Sequence, residues 1–155
     1  MCDYSLHAIR NRLAEEGEEL ELHRFPTGTL GFASVHDLEQ IQEAEDGPRG
    51  FWNTLSTWFA PRPCTAPAVC IPPGAKLMLT EVPASHPRIP LLRPPELVTF
   101  TELSNRANTY RDAIVRSDGQ SILLQRLPEG LRALVLTLAA EVAEEEPMLQ
   151  PVHAV

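Results

Sequence analysis

The sequence predicts a mainly β single domain, a small antiparallel barrel or sandwich of about six to eight short strands with one or two short inserted helices. Three observations carry this. Apolar and polar residues alternate in both halves of the chain, as at Leu20 and Leu22 and again at Val98 and Phe100, which is the period of a strand with one buried face. Of the 15 prolines, 10 fall between residues 61 and 95 and exclude a long helix there. Turn chemistry such as Asp118-Gly119 separates the alternating runs. The 155 residues suffice for one core without a disulfide or metal staple, since a chain of this size buries about 68–70% of its unfolded surface.

The elements follow in chain order. Leu20 and Leu22 alternate with Glu19 and Glu21, Pro26-Thr27-Gly28-Thr29 supplies a turn, and Leu30 and Phe32 alternate again, so a hairpin is expected. The acidic stretch from residue 15 to 21 reads as a solvated edge or loop. Ser34 with Asp37 makes a capping pattern, and Val35, Leu38 and Ile41 keep helical spacing until Gly47-Pro48. A second helix is expected after Gly50, where Phe51, Trp52, Leu55, Trp58 and Phe59 share one face before Pro61. One or two short helices are thus expected to be inserted between residues 34 and 60.

Further on, Leu77 and Leu79 alternate in the same way. Residues 114–117 and 121–127 form a hairpin around Asp118-Gly119, a pair suited to a two-residue type I′ turn. After Pro128-Glu129-Gly130, Leu134, Leu136 and Leu138 alternate with Ala133, Val135 and Thr137, which reads as the third strand of an antiparallel meander. The tail after about residue 140 is expected to fray.

Thirteen Lys and Arg against 21 Asp and Glu give a formal charge of -8, the wrong sign for holding phosphates or an anionic membrane surface. Nucleic acid is therefore excluded as an expected partner. The longest apolar run, near residues 134–140, is broken by Thr137 and falls short of the roughly 18–20 residues of a membrane-spanning helix. No apolar stretch resembling a signal peptide occurs in the first 12 residues, and three cysteines make no secreted disulfide framework. The expectation is a cytoplasmic protein. Dinucleotide, phosphate-loop, zinc-protease, hydrolase-elbow and Cys-x-x-Cys fingerprints are all missing.

Three groups of residues remain as candidates. Removal of Met1 would leave Cys2 with a thiol and an α-amino group on one residue, able to act as nucleophile and base together; otherwise Cys2 is a small apolar residue beside Tyr4 and Leu6. Thiolates of Cys2 and Cys70 with an imidazole from His7, His23, His36 or His86 would suit copper, iron or zinc, although Cys64 and Cys70 lack zinc-knuckle spacing. The aromatic stripe Phe51, Trp52, Leu55, Trp58 and Phe59 holds both tryptophans of the chain. It either roofs the β core or docks into a partner's groove, where tryptophan anchors dominate binding energy.

The opening Met1-Cys2-Asp3-Tyr4-Ser5-Leu6-His7 and the later Val69-Cys70-Ile71-Pro72-Pro73-Gly74 resemble a group of short uncharacterised bacterial proteins that begin Met-Cys-Asp-Tyr-Ser-Leu. The resemblance covers residues 1–33 and 68–138, including Arg111-Asp112-Ala113, so it implies a variable helical insertion at about 34–67, and it implies a shared fold more than a function. It also implies histidines just before Asp112 that, with the two cysteines, would look like a metal site. This chain has Asn108-Thr109-Tyr110-Arg111 there instead, which leaves only Cys2 and Cys70 to carry over. The expected function is a noncatalytic accessory or protein-interaction role, in a larger assembly or a homo-oligomer, with no cofactor. The alternative is a thiolate-metal or N-terminal-cysteine site.

Overall fold

A computed structural model describes residue 6 and residues 9–46, 66–83, 92–104 and 109–138. Cys2, His7, the aromatic stripe from Phe51 to Phe59, Cys64, His86 and the tail after residue 140 lie outside the described residues. Within them the protein is mainly β. Nine strands form a single curled sheet, a half-barrel, with one 12-residue helix. The strands are β1 (Asn11–Leu13), β2 (Glu19–Arg24), β3 (Leu30–Ser34), β4 (Ala68–Cys70), β5 (Lys76–Glu81), β6 (Glu96–Glu102), β7 (Asp112–Arg116), β8 (Ser121–Leu123) and β9 (Arg132–Thr137). The helix α1 is Val35–Asp46. No described helix is long and apolar enough to cross a membrane.

Both expected hairpins form. Strands β2 and β3 pair with Leu22 opposite Phe32, and the turn between them uses Gly28 at φ 80°, a left-handed conformation that glycine adopts without strain. In the β7–β8 hairpin the turn differs from the expected two-residue form. Gly119 N donates to the Arg116 carbonyl at 3.0 Å, and Arg116 N donates to the Gln120 carbonyl at 3.0 Å. That pattern is a type I turn over residues 116–119, closed by Gly119 at φ 81° as a bulge. Asp118 selects it: one carboxylate oxygen accepts from Gln120 N at 2.9 Å and the other from Arg116 Nη1 at 3.0 Å.

The expected meander does not form. The sheet order is β1-β4-β3-β2-β9-β5-β6-β7-β8, so β9 lies between β2 and β5 and not beside β8. Strand β8 ends after three residues in a 3-10 turn, Leu124–Arg126, which leads the chain away from β7. The following segment then locks onto β2, with Gly130 N on the Leu22 carbonyl and Leu22 N on the Leu131 carbonyl, each at 2.8 Å. The described residues form nine strands where about six to eight were expected, and β1 adds one parallel pairing, to β4.

Inside the curl lies the main core, built from Leu20, Leu22, Leu77, Leu79, Val98 and their neighbours, all essentially inaccessible. Gln125, in the 3-10 turn, ties the β8 end of the sheet back to β3. Its amide accepts from Leu30 N at 3.0 Å and donates to the Leu30 carbonyl at 2.7 Å. A side-chain amide thus stands in for a paired strand at a buried backbone position, where unsatisfied groups are costly.

Candidate interaction surface

Two features of the described surface are concave or apolar enough to examine as sites. The first is a cavity of about 520 Å3 around Arg12, Ser34 and the start of α1. Six carboxylates line it, those of Glu15, Glu16, Glu18, Glu19, Asp37 and Glu39. Arg12 is on its wall and is already paired. The guanidinium pairs with Glu18 through both terminal nitrogens and reaches Asp37 at 3.3 Å. Burial works against the charge of Glu18. The Arg12 guanidinium, the Glu15 N–H and the Ser34 hydroxyl outweigh it and hold the carboxyl below its ordinary range. Glu18 is therefore a half-buried fastener and not part of a merely solvated loop. The arrangement joins β1, the turn before β2 and helix α1; its acidic rim repels anionic ligands.

The second feature lies on the outer, convex face of β5, β6 and β9. Cross-strand register puts Leu134, Met78 and Leu97 in one row across three neighbouring strands. Leu136 stands beside this row on β9, 41% exposed, and Leu97 is 48% exposed. The inward positions of the same strands, Leu77, Leu79, Val98, Ala133 and Val135, are fully buried. The outer face of these strands thus carries an apolar row beside polar residues such as Lys76 and Thr99. One face fills the core, and the other presents large side chains to solvent.

The sheet edges offer less. Strands β1 and β8 have three residues each, and the Leu13 carbonyl on β1 already accepts from Arg12 Nη1 at 3.2 Å. Edges this short make poor templates for an added strand.

Among the sequence candidates inside the described residues, Cys70 ends β4 and is disulfide-bonded. As a metal candidate, Cys70 offers a thiolate only when that disulfide is reduced. His23 packs edge-on against Phe25 with ring centroids 5.2 Å apart. His36 sits on α1 beside Gln40 Nε2 at 2.9 Å. No group of three or more His, Cys, Asp or Glu able to hold a metal occurs among the described residues. Asp112 is buried at the start of β7, opposite Glu102 of β6.

The apolar row was not among the sequence candidates. Its signal was nevertheless present, because Leu77-Met78-Leu79 and Ala133-Leu134-Val135-Leu136 are continuous apolar runs in strands whose outer face would ordinarily be polar. Compared with family models, with curated proteins and with solved structures, the chain matches none.

Proposed function

We propose that the protein is a noncatalytic interaction module, an accessory chain or subunit that docks on another protein through apolar surface. The observation that carries this reading is the row Leu134, Met78 and Leu97 with Leu136, large apolar side chains lying together on the outside of a sheet. Such a row is costly to leave in water, and clustered outward apolar residues mark protein contact sites. The aromatic stripe Phe51, Trp52, Leu55, Trp58 and Phe59 supports the same reading from sequence, as a second docking element rich in tryptophan. The acidic balance suits a protein partner better than nucleic acid.

A photo-crosslinking amino acid placed at Leu97, and separately at Leu136, in the full chain within its native cells tests the proposal. The expected result is a discrete covalent adduct from both positions and none from the exposed control position Gln120. Failure of both face positions to form an adduct above the control would refute the reading. The same probe at Trp52 and Trp58 reports on the stripe.

A further inference from the structure

We infer that the partner of the convex face is a second copy of this chain, packed with the two β5 strands antiparallel about a two-fold axis along the row Leu134, Met78 and Leu97. This rests on the reading of that face as the interaction surface. The row is suited to self-association because Met78 is central and has one leucine on each side, Leu134 on β9 and Leu97 on β6. Rotation about the row places it on its own copy, an isologous contact.

Charge argues for the same arrangement. Lys76 is the sole lysine of the chain and lies on β5 two residues before Met78, on the same face. Its ammonium donates to Thr99 Oγ1 at 3.2 Å, and among the described residues no ion pair joins it to a carboxylate. At the other end of β5 stands Glu81, its side chain 67% exposed and 4.0 Å from Arg132. The register shift between Leu79 and Glu81 turns this carboxylate outward, away from the inward parity of Leu77 and Leu79. The two-fold rotation exchanges the ends of β5, so each Lys76 meets the Glu81 of the other copy. Lys76 and Glu81 lie about 7 and 10 Å along the strand from Met78, a difference that the four-carbon lysine stem spans. The dimer thus has an apolar centre and two equivalent rim ion pairs, and its small core fits micromolar association.

Sedimentation of the native full chain at about 100 µM, in the range where micromolar complexes form, should show a dimer. Met78→Asp should weaken it at least tenfold. Lys76→Glu and Glu81→Lys should each weaken it about threefold to tenfold, and the double variant Lys76→Glu with Glu81→Lys should return it to near the native value. Carbodiimide treatment of the dimer should join Lys76 to Glu81 of the other copy. Circular dichroism of each variant excludes unfolding as the cause, and the two charge variants, one at half-buried Lys76 and one at exposed Glu81, remain informative if Met78→Asp fails to fold. A native chain that stays monomeric, or a dimer unaffected by the charge variants, would overturn the inference. A monomer whose Leu97 probe still yields an adduct with a different protein would do so while leaving the proposed interaction function standing.

Discussion

Over β3 and β4 the outer face of the sheet is built from Gly31, Ala33 and Ala68, and Leu6, Phe25 and the helix residues Leu38 and Ile41 pack on it. Over β5, β6 and β9 the same face is built from Met78, Leu97, Leu134 and Leu136, and Leu97 and Leu136 stand in solvent. The difference follows residue size. Where the chain covers its own sheet the residues are small enough to admit a second layer: a Cβ added at Gly31 would lie 2.6 Å from Leu6 Cδ1 and 3.2 Å from Phe25 Cε2. On β5, β6 and β9 the side chains are large and stay partly open. The first sector contributes stability, and the second is the surface proposed for association.

Substitutions on the covered side should have the largest effects. Phe25 is 1% exposed, and Phe25→Ala should lower unfolding stability by about 3–5 kcal/mol in urea denaturation, because the small residues beneath it cannot fill the cavity. Gln125→Ala comes next. It strips partners from the N–H and carbonyl of buried Leu30, and a loss of about 2–4 kcal/mol is expected, with Gln125→Glu intermediate because it keeps one of the two bonds.

Acid should loosen the Arg12 fastener that binds α1 to the covered sector. The folded-state pKa of Glu18 is depressed, so its contribution is fully present above the ordinary carboxylate value. It is lost as pH falls through the lower folded value. Urea midpoints measured from neutral pH downward should show this loss in the native protein and a weaker one in Arg12→Gln. Gly119→Ala should have a smaller effect, about 1 kcal/mol, by forcing a Cβ onto a φ of 81° at the β7–β8 turn.

Much of this fold was legible in local patterns. The β2–β3 hairpin, helix α1 and the β7–β8 hairpin each follow from alternation, capping or turn residues within about ten positions of one another. The neighbours of β9 were not legible. Residues 133–138 alternate equally well as a third meander strand or as an insertion between β2 and β5, and only long-range bonds such as Leu22 N to the Leu131 carbonyl decide between them. Periodicity also left open which face of β9 turns inward: the smaller Ala133 and Val135 are buried while Leu134 and Leu136 face out. The apolar row escaped notice for the same reason, since it is assembled from three strands whose adjacency depends on that topology. The Arg12 fastener joins residues 12, 18 and 37 across two turns, and nothing in the acidic run singled out Glu18 from its neighbours.

Urea denaturation of the double variant Leu97→Thr with Leu136→Thr, at protein concentrations low enough to keep the chain monomeric, tests most directly whether the convex face is held in reserve for association. Threonine keeps strand propensity while removing the apolar side chain. If the face is free, the stability of the double variant stays within about 1 kcal/mol of the native value, as for substitutions away from a packed core. A loss of about 3 kcal/mol or more, the size that accompanies large-to-small changes at buried leucines, would show that the row belongs to the protein's own core and contradict the account.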